Sequence, residues 1–478
     1  MYFNDFSFIS FTSIVLGWYL LQSIAYYKFF EKAGKPGWIG FVPLYNYVVH
    51  TEIVGRPKWW VALLFLPVVN FFIALTIHLD LLKSFGRYSY FDQAVGVIFA
   101  PFYMVYIAFS KTSYQGKATD LPKKERTVTQ EWFEAIVFAV FAATFIRWVF
   151  MEAYVIPTPS MERSLLVGDF LFVSKINYGP RTPKTPLQIP LTHAKIWGTE
   201  SASYVDWLQL PQLRLPSLGK VERKDVVVFN YPPEFEHPKD LRTHYIKRCV
   251  ALPGDQLEIK TGQVYINGNA QENPELMQHR YFVETDQIIR DRVFRSYKIW
   301  EKREVTRSKP HGYIVHTTKA VADELMKLDF IKSVTPQFAI EEDVESRIFP
   351  DARYFPWNAD NYGPLEIPAK GKTIQITEEI LAMYGSTIQD YEEWEEVDID
   401  IENSSLKIDG QEVNEYTFKK DYYFMMGDNR HNSEDSRYWG FVPEDFIVGE
   451  ASFIWMSFDD QGNFINKIRW DRLFNGID

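Results

Sequence analysis

The first 151 residues hold four apolar runs, roughly 7–30, 59–82, 92–110 and 132–151. Each is near the length, about 20 residues, at which a helix crosses a bilayer. No other feature limits the fold so strongly, because a backbone inside hydrocarbon must satisfy its own hydrogen bonds. The first and last runs are the clearest. The second carries Pro67 and Asn70 and ends with His78 and Asp80, which fits a kinked span or a re-entrant segment. No cleavable leader is evident, since the N-terminus lacks a basic stretch before its long apolar run.

Charge divides the chain at about the same place. Residues 1–130 carry twelve Lys/Arg against seven Asp/Glu, and the remainder carries 39 against 55. A basic, apolar front and an acidic, polar back describe a membrane anchor with a water-soluble body. There is no basic stripe of the kind that binds nucleic acid. Lys28, Lys32, Lys35, Arg56 and Lys58 flank the first connection, and Lys111, Lys117, Lys123, Lys124 and Arg126 fill the third. Cations gather on the cytoplasmic side. The expected topology is four spans, with the N-terminus and everything after about residue 152 outside the cytoplasm.

The body reads as β structure. "DVVVFNY" (225–231), "YIKRCVALPG" (245–254) and "QLEIKTGQVYINGN" (256–269) are strand patterns, the last with an Asn-Gly hairpin turn. "SSLKIDGQEV" (404–413) repeats the hairpin with Asp-Gly. Residues 276–400 mix charged helical patterns with an acidic stretch. The expected organisation is a multi-span region 1–130, a last transmembrane helix 131–152, a β core in two parts, 153–275 and 401–478, and an inserted polar subdomain 276–400.

Several reaction classes lack their residues. There is no G-x-S-x-G elbow, no H-E-x-x-H and no P-loop. The single Cys249 excludes an internal disulfide and a cysteine metal cluster, and it reads as a small buried hydrophobe. No metal or cofactor is expected. His244 and His431 read as surface or turn residues. "SSLK" (404–407) and "KTG" (260–262) hint at a penicillin-binding Ser/Lys enzyme, but their order is reversed, S-D-N is absent, and "SSLK" sits in a hairpin pattern.

Another Ser/Lys set remains. Ser160 follows "IPTP", just beyond the last apolar run; alone it is equally an ordinary turn residue. Lys247 lies in the apolar strand "YIKRCV"; alone, a strand lysine is usually a surface charge. A serine nucleophile needs a base, and a lysine can serve once burial makes it neutral. Its ordinary pKa of about 10.4 must then fall by roughly 2 units or more. Successive strand residues face opposite sides, so Lys247 can face the serine while Arg248 faces carboxylates in the turn "GDNRHNSEDSR" (427–437).

These segments resemble bacterial type I signal peptidases. "IPTPSMERSLLVGDFLFVSK" is similar to the nucleophile box, "RKDVVVFNYP" to the next strand, and "YIKRCVALPGD" to the lysine box. "YYFMMGDNRHNSEDSRYWGFVPEDFIVGEASFIWMSFD" is a long, specific match, and the four occur in the family's order. The resemblance implies a mainly β fold: an all-β catalytic core with an inserted α+β subdomain, preceded by an α-helical membrane anchor. It also implies cleavage of secretory preproteins at an extracytoplasmic Ser/Lys site; with the apolar runs, the expected protein is multi-pass in the bacterial plasma membrane, its four spans exceeding the one or two usual in the family. The expected partners are secretory preproteins with small residues at −1 and −3, the lipid bilayer and the secretion translocon.

Residue roles follow from the same resemblance. Ser160 is the expected nucleophile and Lys247 the general base, with Ser433 hydrogen-bonding and orienting the lysine. The oxyanion hole combines the Ser160 N–H with the Thr158 hydroxyl. Asp428, Asp435, Arg437 and Arg248 form charged support. Tyr154, Ile156, Met161 and Ile246 help line shallow substrate pockets. The chain departs from the pattern at Pro159, where many relatives have glycine, and at Arg163 and Ser164, where Pro-Thr is commoner. The front stretch 30–60 resembles an accessory membrane segment. An inactive signal-peptide-binding relative, and a transporter with an external domain, are the rival readings.

Overall fold

The computed structural model describes residues 8–65, 69–121, 128–305, 312–459 and 467–477. It divides into two compact units, Met1–Ala135 and Ile136–Asp478.

The first unit is helical: α1 (Phe8–Lys32), α2 (Tyr45–Val54), α3 (Trp60–Leu63), α4 (Val69–Ser84), α5 (Tyr90–Ile98) and α6 (Ala100–Phe109). Phe29, Phe30, Ile77, Leu81 and Met104 share one apolar core. Two runs expected as single spans are divided. The run 59–82 splits between α3 and α4, and its Pro67 lies outside the described residues. The run 92–110 breaks at Phe99, whose φ of −111° and ψ of 34° are not helical. Pro101 follows in the first turn of α6, where its missing N–H costs nothing. Asp80, expected near a span end, is buried beneath Arg56, which reaches it at 2.8 Å. Among the described residues no helix is long and apolar enough to cross a membrane. Lys123, Lys124 and Arg126, used above for orientation, lie outside the described residues.

α7 (Val128–Val149) begins in the first unit and continues into the second, where it runs almost directly into β1 (Met151–Val155). A seven-stranded antiparallel sheet follows, in the order β1, β2 (Asp169–Ser174), Ile447–Ser457, β3 (Val226–Asn230), β4 (His244–Ala251), Tyr422–Met426 and Val442–Pro443. Strands from both ends of the body therefore interleave. β3 is buried at every position, which accounts for its unbroken apolar sequence.

A second sheet continues from β4 through β5 (Gln256–Lys260), β6 (Gln263–Ile266) and β7 (Asn269–Ala270), with Tyr362–Glu366 on the other side of β5. The Asn267-Gly268 turn has φ of 52° and 79°, the two positive values that a tight hairpin requires. Thr261-Gly262, with 49° and 76°, makes a second such turn. "KTG" is thus a hairpin tip. "SSLK" leads into the strand Ser405–Ile408, so neither piece stands at a helix start.

The stretch 276–400 holds two different structures. β8 (His279–Thr285), β9 (Lys302–Val305), β10 (Gly312–Thr317) and β11 (Ile331–Pro336) form a separate sheet in the order β11, β8, β10, β9. It packs with α8 (Asp291–Ser296) and α9 (Lys319–Leu325) around its own core of Tyr281, Val283, Phe294, Tyr313, Val315 and Leu325. Beyond it, Ile348, Phe349, Tyr362, Leu381, Tyr384 and Ile388 join the main core of Val227, Phe229, Phe424 and Met425. The charged surface of 337–400 covers a large apolar face, and this makes the whole stretch look polar in sequence.

Candidate active site

β1 ends at Val155, and the chain turns through Pro157 and Pro159 into a single 3-10 turn, Pro159–Met161. Proline fixes φ and removes a donor, so this segment cannot extend the sheet and instead presents Ser160. Ser160 is only 8% exposed. Lys247 stands in β4 opposite Val227 of β3. Its Nζ donates to Ser160 Oγ at 2.8 Å and to the Ile246 carbonyl at 3.0 Å. The residue is 4% exposed. Burial, opposed by the more distant Asp435, Asp428 and Glu434, lowers its pKa to about 8. A neutral amine is thus accessible near physiological pH, and with it the contact reverses, the Ser160 hydroxyl donating to nitrogen.

Arg248, the next residue, points to the opposite face. Its Nε donates to Asp428 Oδ1 at 2.8 Å and its Nη2 to Asp428 Oδ2 at 2.7 Å, a bidentate buried pair. Arg437 makes the same fork on Asp435, with both bonds at 2.9 Å. Burial alone would raise the Asp435 pKa, but Arg437 and the Gly427 N–H hold its carboxyl below the usual range. All four expected support residues are therefore brought together in two pairs under the turn 427–437.

Ser433 is placed differently from expectation. Its buried Oγ sits beside the Asp435 carboxyl and helps to hold that group's pKa low, and Lys247 donates to Ser160 and the Ile246 carbonyl rather than to Ser433. It is instead pressed against Gly427, where an added Cβ would lie 2.2 Å from Ser433 Oγ and 2.5 Å from the Ser160 carbonyl. Only glycine fits there. Thr158 is exposed, and its Oγ1 lies 3.5 Å from Ser160 Oγ. Of the four expected pocket residues, Tyr154 and Ile246 keep part of their surface, while Ile156 and Met161 lie beneath it in one apolar cluster with Leu165 and Leu171. Cys249 is 1% exposed within the main core, and burial pushes its thiol pKa up.

Of the two histidines expected as surface or turn residues, His431 does lie in a turn, while His244 stands in β4. His244 is half-buried between the rings of Tyr154 and His193, at 4.8 and 4.4 Å, and burial puts its pKa well below the ordinary value. His431 bonds Asp360 at 3.0 Å. In each case a partner distant in sequence decided the matter.

Three contributors escaped the sequence reading. Asn429 donates its N–H to the Ser160 carbonyl at 3.0 Å and its Nδ2 to the Pro159 carbonyl at 3.2 Å, fixing the nucleophile turn from below. Ser164, noted only as a departure, donates to Asp428 Oδ2 at 2.6 Å. Arg163, with φ of 72°, sends Nη2 to the Tyr297 carbonyl at 2.5 Å and so ties the same turn to the separate sheet. Glu162, just before them in sequence, is 6% exposed, and burial with the nearby Glu301 pushes its carboxyl up to about 7. Among the described residues no cluster could hold a metal ion.

Known proteins share this arrangement of sequence. The family described as signal peptidase, peptidase S26, matches residues 129–310 and 366–456. A family of unknown function matches residues 38–117. The chain is 30% identical over 345 residues to signal peptidase I of Buchnera aphidicola subsp. Schizaphis graminum, covering 71% of this chain and 79% of that relative. It is 26% identical over 353 residues to signal peptidase I of Haemophilus influenzae, covering 72% and 75%. Against signal peptidase I of Helicobacter pylori the figures are 24% over 363 residues, covering 72% and 91%. With its β core, its Ser160–Lys247 contact and these matches, the chain belongs to the signal peptidase family, peptidase S26.

Proposed function

We propose that this chain is a membrane-bound serine endopeptidase that removes N-terminal signal peptides from exported preproteins, with Ser160 as nucleophile and Lys247 as general base. The observation that carries the reading is the 2.8 Å contact between Lys247 Nζ and Ser160 Oγ inside a pocket that lowers the amine pKa to about 8. Neutral Lys247 takes the hydroxyl proton as Ser160 Oγ attacks the scissile carbonyl. The Ser160 N–H and the Thr158 hydroxyl stabilise the oxyanion. The lysine ammonium then returns the proton to the leaving amine, and water, deprotonated by the same amine, releases the acyl group.

β1 is an edge strand of its sheet, with Val155 exposed beside the Ser160 turn. An extended substrate can add to such an edge through backbone hydrogen bonds. Small side chains before the scissile bond suit the shallow surface left by Tyr154 and Ile246 over the buried Ile156 and Met161. The tether to the bilayer is part of the proposal and rests on sequence: the runs 7–30 and 132–151 and the basic connections between runs. Holding enzyme and signal peptide in one bilayer raises their effective concentration. The extracytoplasmic placement and a translocon partner belong to the same reading.

The test is cleavage of a signal-bearing preprotein by the full chain, with sequencing of the new N-terminus. Cutting after a small residue at the end of the signal peptide, lost in Ser160→Ala, is the expected result. Binding of the preprotein without cleavage would leave the inactive-relative reading in its place.

A further inference from the structure

The sheet β8–β11 has one face against its own core and one face turned outward. The outward face carries Arg280 and Phe282 on β8, Ile314 and His316 on β10, and Arg303 on β9. The register pairs His316 with Arg280, and Ile314 with both Phe282 and Arg303, so these side chains share one surface. Together with Arg295, Trp300 and Lys302, part of this surface lines a cleft of about 680 Å³. Four Lys/Arg collect in it against Asp291 and Glu301, in a body that is otherwise strongly acidic. Lys302 is taken up by Asp291. Among the described residues, Arg280 and Arg303 make no ion pair.

The cleft is joined to the nucleophile by one residue. His316, on its wall, has Nδ1 3.0 Å from Asn429 Oδ1, and Asn429 holds the Ser160 and Pro159 carbonyls. Glu301, also on the wall, accepts from Asn432 at 2.5 Å. Arg163, three residues after Ser160, reaches the same subdomain. These contacts set the cleft's subdomain directly beside the Ser160 turn.

We propose that this cleft is a binding site for carboxylate side chains in the mature part of the substrate, just downstream of the bond that is cut. The inference rests on the peptidase reading above. Arginine forks suit carboxylates, and Trp300 and Ile314 give the substrate stem an apolar floor. The site acts on binding rather than on the chemical step. It sorts preproteins by the charge of their first mature residues.

The experiment uses the full chain with two preproteins identical through the cleavage site, one followed by a short acidic run and one by a neutral run. The acidic one should show a KM about tenfold lower with little change in kcat, a preference that added salt erodes. In Arg280→Gln/Arg303→Gln that preference should vanish, while turnover of the neutral preprotein stays within about twofold, because neither arginine touches the Ser160–Lys247 pair. Arg280→Glu/Arg303→Glu should favour a basic run instead. Equal cleavage of both preproteins by the wild type overturns the proposal and leaves the peptidase reading intact. So does a double variant that changes association with anionic lipid vesicles but not substrate preference, which would make the face a membrane contact. Cleavage of neither preprotein would overturn the peptidase reading and this proposal with it.

Discussion

Lys247 and Arg248 are neighbours on one strand, both almost wholly buried, yet they occupy opposite electrostatic situations. Arg248 faces a carboxylate that grips it with two bonds, and the pair locks the turn 427–437 to the sheet. Lys247 faces a hydroxyl and a carbonyl, and among the described residues no carboxylate contacts its amine. A buried cation with a partner is structure. One without a partner is pushed toward its neutral form and becomes reactive. The alternation of a β-strand lets adjacent residues hold both situations within a few ångströms.

The largest effect should come from removing the difference in titration. Lys247→Arg keeps a cation but cannot give up its proton, so preprotein cleavage should fall roughly 10⁴-fold or more, as for other residues acting as one unit. Ser160→Ala should fall as far, and the double variant little further. In the wild type kcat/KM should rise about tenfold per pH unit and level off near the lysine pKa of about 8, measured under single-turnover conditions. A flat profile from pH 6 upward would assign the proton transfer to another group.

Breaking the paired side should show in stability first. Arg248→Leu leaves the Asp428 carboxylate, 0% exposed, without its fork. Stranding one partner of a buried pair costs about 3–5 kcal/mol. Denaturant titration of the full chain in detergent should show that loss, and Arg248→Leu/Asp428→Leu should recover part of it. A single variant as stable as wild type would mean the pair does not hold the turn.

Thr158 tests the chemical side without touching either cation. Thr158→Val preserves shape and removes a hydroxyl 3.5 Å from Ser160 Oγ, so kcat should drop roughly 10²–10³-fold. Because the side chain is exposed, the melting temperature should hardly move. Thr158→Ser should keep most of the rate. Full activity in the valine variant would place the second oxyanion donor elsewhere.

The two faces were legible because their signal is local. Alternation along "YIKRCV", positive-φ turns such as Asn267-Gly268, and the prolines before Ser160 each act within a few residues. What stayed hidden depends on distant partners. His244 lies between two aromatic rings from β1 and from the loop after β2, neither of which its own strand predicts. Ser433 interacts with Asp435, two residues on, instead of with the lysine. The loop after β2 has no strand pattern of length, yet Arg214 pins it by donating to the carbonyls of Tyr178, Gly179, Glu444 and Ile447. The sheet β8–β11 and the 337–400 segment read alike in composition, and only their packing separates them.

The smallest predicted effect is the least intuitive, because it makes the protein more stable. Folding lowers the Lys247 pKa from 10.5 to about 8. Between those values the unfolded chain carries a proton that the folded chain does not, so this group's contribution to stability rises with pH across that window. Below pH 8 both states are charged, and the whole cost of burying the ammonium is present. A shift of this size corresponds to about 3 kcal/mol, an upper bound once the lost packing of the side chain is counted. Lys247→Met, with a similar stem and no charge, should therefore raise the melting temperature of the full chain at pH 7 while abolishing cleavage. The gain should shrink as pH rises above 8 and disappear by about pH 10.5, where the wild-type lysine is neutral in both states. Arg248→Met should destabilise at every one of these pH values, because its partner carboxylate would be left buried without its cation, holding among the described residues only the Ser164 hydroxyl. If Lys247→Met proved less stable than wild type at pH 7, the lysine would be held by partners as firmly as the arginine beside it, and the contrast between the two faces would collapse.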